Sequence, residues 1–371
     1  MQRAKILMLL RPAEGGMVKH VCTLIKTLSE KFAFTVACPR EYIKFYRHLP
    51  CKLLEVPITG TFDLWRDLRA LSGLHKVVAG GEFSLLHAHG FKAGLVARLL
   101  AGITGIPCLV TVHSDFAQAQ AGKFKPIYLQ AERLLARQTY QYITVSEWLK
   151  KELIQTYRVQ KEKICVIPNG IDLVEYGAAQ KPLSFWTPQN YYVGTVARLA
   201  PQKGVDLFLR AAALLAPLFP QACFVIAGEG PLRKHLENLT QELGIKERVF
   251  FLGQFDRIPA LLKTLDVFVL ASRSEAQGIA ALEAMAAGCP VIAGSVGGLR
   301  EIIKDKHNGL LFPAENVEAL FAAIQYLLNC PQEAARLAKQ ARLDVQSYSI
   351  ERHVGQMQKL YEKILEDGKV K

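Results

Sequence analysis

Short apolar runs alternate with helix-period stretches along almost the whole chain, in two successive series. That alternation confines the chain to parallel sheets flanked by helices. In the first series Lys5 to Leu10, Phe34 to Cys38, Leu53 to Val56, Leu85 to Ala88, Cys108 to Val112 and Tyr142 to Val145 are the predicted strands. After Gly15-Gly16 the apolar residues Val18, Val21, Cys22, Ile25 and Leu28 recur at helical spacing, and a second such stretch opens at Gly90. The second series has strands at Tyr191 to Val196, Cys223 to Ala227, Val249 to Leu252, Val267 to Ala271 and Val291 to Ala293.

At 371 residues the chain is too long for one ordinary core. The pattern breaks near Val166 to Asp172 and stays polar to about Gln189, which divides the chain into domains 1–180 and 181–349. A last helix in 350–371 is placed to cross back to the first domain. The expected fold class is α/β, with two doubly wound, Rossmann-like domains facing a cleft. Ligands of such sheets sit at the carboxyl ends of the strands.

No apolar run approaches the roughly 20 residues a bilayer span requires. Met1 to Leu10 has no cleavage pattern and reads as a first strand rather than a secretory leader. Eight scattered cysteines without metal-ligand spacing fit reduced thiols in the cytoplasm. The net charge of +13 is uneven: residues 1–180 carry 24 Lys and Arg against 14 Asp and Glu (+10), and 181–371 carry 22 against 19 (+3). A basic first half attracts anionic lipid or an acidic substrate, and with no helix-turn-helix, zinc-finger or RNP-like signature nucleic acid is not an expected partner.

Glu275 and Glu283 are the most informative polar residues. Glu283 lies in Ile279 to Ala287, where no other side chain is polar, so its carboxylate needs a partner. A carboxylate can take both hydrogens of a vicinal sugar diol; a structural Arg is the alternative partner. Arg198 and Lys203 sit on a loop directly after the first strand of the second series, where a planar fork and a point charge can flank a diphosphate. Gly15 and Gly16 let backbone amides approach a phosphate or sugar at a helix start, and an ordinary turn would explain them as well. His87 and His89 share one face of a strand end, with a structural role favoured over metal ligation. His113, just past the strand Cys108 to Val112, is the better candidate to touch a ligand.

The segment Ser272-Arg-Ser-Glu275-Ala-Gln-Gly278-Ile-Ala-Ala-Leu-Glu283-Ala-Met-Ala-Ala-Gly288-Cys-Pro290 resembles the glutamate-seven-residues-glutamate motif of retaining glycosyltransferases of family 4, which have the GT-B fold. The resemblance also takes in Gly15-Gly16, His87-Ala-His89-Gly90, Thr111-Val-His113, Ile167-Pro-Asn-Gly-Ile-Asp172, Arg198 through Lys203-Gly204, Gly228-Glu-Gly-Pro231 and Gly297-Gly298. It implies a nucleoside-diphosphate sugar, UDP- or GDP-linked, as donor, with no separate cofactor; no Asp-x-Asp pair is placed to hold a divalent ion beside the diphosphate, so no metal is expected. It also implies that Glu275 contacts hydroxyls of the donor sugar, Glu283 the ribose diol, and His113 the transferred sugar. Arg198 and Lys203 would neutralise the departing diphosphate, helped by amides near Gly16, Gly278 and Ile279. One departure is Ala276-Gln277-Gly278, where the family usually has Gly-Phe-Gly. The expected enzyme moves a hexose-type sugar to a lipid-linked or glycan acceptor, in the cytoplasm or peripherally on the anionic inner face of the membrane. The alternatives are a GT-B sugar-nucleotide epimerase and a catalytically silent nucleotide-sugar-binding subunit.

Overall fold

A computed structural model describes residues 3–13, 15–59, 64–81, 83–114, 125–181, 183–184 and 186–367. The chain forms two compact units, one made of residues 1–170 with 351–371 and the other of Ile171–Ile350. The division falls at Gly170–Ile171, ten residues before the break read from the polar stretch. Its physical mark is local: Ile171 bridges Ser349 and accepts the Ile350 amide at 2.9 Å, so the second unit opens and closes at one point.

The first unit is built on strands β1 (Ala4–Leu10), β2 (Phe32–Cys38), β3 (Cys51–Glu55), β4 (Leu85–His89), β5 (Cys108–Val112), β6 (Gln141–Thr144) and β7 (Ile164–Val166). They pair in the order β3-β2-β1-β4-β5-β6-β7, every pair parallel. Ile6 to Leu10 are buried along their whole length, as are all five residues of β4 and of β5. Helices cover both faces of such a sheet, which is why these strands read as unbroken apolar runs instead of alternating ones. The helix Ile350–Asp367 belongs to this unit, and its Val354, Met357, Tyr361 and Ile364 complete the core under β1, β2 and the helix Gly16–Leu28.

The second unit repeats the plan with β8 (Tyr191–Val196), β9 (Ala222–Ala227), β10 (Val249–Gly253), β11 (Val267–Leu270), β12 (Val291–Gly294) and β13 (Leu310–Phe312), in the parallel order β10-β9-β8-β11-β12-β13. β7 and β13 fall outside the strands expected from sequence. Each has three residues, too few to establish a period of its own.

In both sheets the strand order reverses direction at one place, between β1 and β4 in the first and between β8 and β11 in the second. A crevice opens at such a point because the flanking helices leave on opposite faces. Gly15 follows β1 and His89 ends β4; Arg198 follows β8 and Ser272 to Glu275 follow β11. The candidate residues of each unit therefore gather at that unit's own reversal point. Among the described residues no helix is long and apolar enough to cross a membrane.

Candidate functional site

In the second unit two loops are stitched together before any ligand is considered. Lys203 ends the short turn Pro201–Lys203, and its ammonium pairs with Oε2 of Glu275. Ser272 donates its hydroxyl to the same carboxylate oxygen at 3.2 Å. Beside them Arg273 holds Asp206 through two bonds of 2.7 Å and donates to the Pro201 carbonyl at 2.9 Å. The approach is close enough to require glycine: at Gly204, with φ of 61°, a Cβ would stand 1.9 Å from the Ala271 carbonyl oxygen. Gly297 is constrained in the same way, its missing Cβ lying 2.1 Å from the carbonyl oxygen of Glu275.

Arg198 is exposed in the loop after β8, while Lys203 is partly covered by its carboxylate partner. The structure thus brings Lys203 to Glu275 and leaves Arg198 facing solvent. The helix Ile279–Ala287 begins just after Gly278, whose carbonyl accepts the Ala281 and Leu282 amides, so the amides of Gly278 and Ile279 precede the first intrahelical bond. Ala276 is buried without adopting positive φ, so replacing the usual glycine leaves no strain there. Gln277 is buried beside it.

Glu283 is 6% exposed, and its partner is a phenol. Tyr176 donates its hydroxyl to Oε1 at 2.6 Å from the short helix Leu173–Gly177, which Asp172 caps by accepting the Val174 and Glu175 amides. Burial, and then the adjoining carboxylate, push the Tyr176 phenol up, so it remains a donor at all ordinary pH. This answers the requirement for a partner with a residue that neither sugar nor arginine anticipated.

The first unit assembles histidines. His87 lies between the Tyr361 hydroxyl and the Thr111 hydroxyl, both at 2.7 Å, and is structural in its contacts. His89 Nδ1 meets His113 Nε2 at 3.1 Å. His20 packs edge-on against His89, His113 and His353, with ring centres 5.3, 5.0 and 4.9 Å away, and the Pro168 carbonyl lies 2.7 Å from His353 Nδ1. Burial pushes His87 and His113 down to about 3, the Arg11 guanidinium adding to the effect at His113. His20 and His89 are driven well below the usual histidine range, by burial first and by their neighbouring imidazoles second. The cluster is uncharged at neutral pH and offers imidazole donors and acceptors without adding positive charge.

His20, His89 and His113 bring ligand atoms within 4.8 Å of one another, and neutral imidazole is the form that binds metal. The Arg11 charge opposes a cation at His113, and His89 and His113 already engage each other. The arrangement suits neutral hydroxyl groups better. His20 and His353 were missed in the sequence. His20 follows Met17 at helical spacing and sits on the buried helix face, an unusual place for a histidine and the one available signal. Gly15 and Gly16 are at the start of the helix Gly16–Leu28, whose first turn has no acidic residue.

Two parallel α/β units with polar residues at both reversal points have the architecture of the GT-B fold, and comparison with known proteins places the chain among its transferases. The family model for Glycosyltransferase Family 4 matches residues 14–175 and that for Glycosyl transferases group 1 matches 171–344. The chain belongs to this glycosyltransferase family. It is 32% identical over 273 residues to the UDP-Gal:alpha-D-GlcNAc-diphosphoundecaprenol alpha-1,3-galactosyltransferase of Escherichia coli, covering 71% of this chain and 70% of the relative. An uncharacterized glycosyltransferase of Methanocaldococcus jannaschii is 33% identical, with 67% of each chain covered. Among solved structures, sucrose-phosphate synthase from Thermosynechococcus elongatus superposes with a TM-score of 0.85 at 23% identity, over 98% of this chain and 100% of that one. Anabaena HepE in complex with UDP gives 0.81 at 23% identity, over 97% and 100%. At those identities the structural likeness establishes the fold.

Proposed function

We propose that the protein transfers a hexose-type sugar from a UDP- or GDP-sugar to a hydroxyl of a lipid-linked or glycan acceptor, with retention at the anomeric carbon and without a metal ion. The observation that carries this reading is the Lys203–Glu275 pair beside Gly278, a carboxylate for sugar hydroxyls held next to a cation for phosphate at the ends of β8 and β11. Glu283 is assigned the ribose diol, Arg198 and Lys203 the diphosphate, the amides by Gly15, Gly16, Gly278 and Ile279 a share of its charge, and His113 the transferred sugar.

In the step itself the bond from the anomeric carbon to the phosphate oxygen breaks, and a bond to the acceptor oxygen forms on the same face. The acceptor proton passes to the departing phosphate oxygen, so no protein nucleophile is consumed. Fixed cations stabilise the charge that develops, which is where preorganised electrostatics act most strongly. The names of two similar proteins support the finer choices: one uses UDP-Gal and a diphosphoundecaprenol-linked acceptor, and another binds UDP. A lipid-linked acceptor would place the enzyme at the cytoplasmic side of a membrane, in assembly of a cell-envelope polysaccharide.

The test is incubation of the purified protein with a panel of UDP- and GDP-sugars and a polyprenyl-diphosphate sugar, reading nucleoside diphosphate release and the anomeric configuration of the product. Transfer with retention is expected. Isomerisation of the sugar while still on its nucleotide, or no release with any donor, would overturn the assignment.

A further inference from the structure

On one set of helices the first unit buries both acids, each against one base, and leaves its other described bases exposed. Leu64–Ala79, Phe91–Thr104 and Lys125–Leu135 pack side by side. Between them they contain two acidic residues, Asp67 and Glu132. Asp67 is buried against Lys92, and Glu132 is buried against Arg98, which donates to it at 2.8 Å. Among the described side chains the exposed charges of these helices are Arg66, Arg69, Lys76 and Arg133, all cationic, and exposed Arg137 follows in the next turn.

The same helices carry Trp65, 81% exposed, with Leu68, Leu99, Ile103 and Leu134. These five are all the exposed large hydrophobics of the first unit among its described residues. Trp65 and Leu68 are three apart on one helix, and Leu99 and Ile103 four apart on the next, so each pair shares a helix side. Single exposed apolar residues need no explanation, but their confinement to the helices whose acids are internally neutralised does. Tryptophan and leucine interleaved with arginine suit the boundary of an anionic bilayer, where rings and side-chain stems enter the headgroup layer and the cations meet phosphate.

We infer that these three helices form the face by which the protein docks on an anionic lipid bilayer. The inference deepens the lipid-linked acceptor reading and rests on it for its biological sense. Phe62, Lys123 and Phe124, further aromatic and basic residues next to these helices, lie outside the described residues, as do the side chains of Lys125 and Tyr128.

Flotation of the full chain with vesicles tests it, using phosphatidylcholine alone or mixed with phosphatidylglycerol, at low and high salt. Binding is expected only with the anionic vesicles, fading as salt rises. Arg66→Glu combined with Arg69→Glu should weaken it at least about tenfold, since each basic group near such a surface acts independently. Trp65→Ser with Leu68→Ser should weaken it as well. Absence of flotation at low salt, equal binding to neutral vesicles, or unchanged binding by both double variants would overturn the inference. Self-association of the free protein, abolished by Trp65→Ser with Leu68→Ser, would assign the face to a second copy and overturn it too. Nucleoside diphosphate release in solution, measured on the same preparations, depends on none of these residues and separates failure of docking from failure of the transferase reading.

Discussion

The Tyr176 hydroxyl donates to Oε1 of Glu283 at 2.6 Å, joining a helix of five residues to the single carboxylate of an otherwise apolar helix. A hydrogen bond to a buried charge is stronger than a neutral one, and it also fixes which way the carboxylate turns. Tyr176→Phe is therefore expected to weaken nucleoside diphosphate binding about tenfold while leaving the fold intact. Calorimetry with UDP and with 2′,3′-dideoxy-UDP checks it. The loss should be confined to the intact ribose, and an equal loss with both ligands would mean that Tyr176 does not act through the diol.

Arg198→Ala and Lys203→Ala should each lower turnover by about 10²-fold, because each removes charge aimed at the leaving diphosphate. The two differ in one respect. Lys203→Ala also strips Glu275 of its cation, so donor KM should rise more than in Arg198→Ala. Near-normal turnover in both variants, measured by nucleotide release, would contradict the proposed clamp.

Because the diphosphate is assigned to Arg198, Lys203 and helix amides, transfer should persist in excess EDTA. Activity abolished by chelation and restored by magnesium or manganese would replace this mechanism with a metal-assisted one.

The histidine cluster predicts a pH-dependent stability. Burial lowers His87 and His113 from 6.5 to about 3, so below pH 6.5 the unfolded chain takes up protons at these sites that the folded chain refuses. Their contribution to stability is full above pH 6.5 and declines as pH falls toward 3. Each should lower the unfolding free energy by about 1.4 kcal/mol per pH unit within that window. Denaturant titrations between pH 7 and 5 would measure the slope. His87→Gln should remove one group's share of it, and a slope unchanged by that substitution would place the titration elsewhere.

Much of the fold was legible because doubly covered parallel strands advertise themselves: Ile6 to Leu10, or Cys108 to Val112, can hardly be anything else. The need of Glu283 for a partner was legible too, since no neighbour on its helix could supply one. Its identity was not, because Tyr176 is 107 positions away and only packing brings them together. His20, His89, His113 and His353 come from four separate elements whose convergence no local spacing encodes. The +10 balance of the first half was countable, yet counting does not show where the charges face. Burial of Asp67 against Lys92 and of Glu132 against Arg98 is what leaves only cations exposed on the described part of those three helices. Arg198 and Lys203 were read as equals from their shared loop, and the structure separates them: Lys203 pairs with Glu275 while Arg198 faces solvent.

The helix Ile350–Asp367 lies at the far end of the chain yet fills the core of the first unit, where Tyr361 meets His87. During synthesis the opening sheet must therefore emerge with an apolar groove unfilled, and remain so while every residue of the second unit is made. The His87–Tyr361 bond forms only after the whole second unit has been made. A truncated product released before that point carries this groove uncovered, which makes the first unit a natural client of chaperones and of quality-control proteases until the last helix arrives.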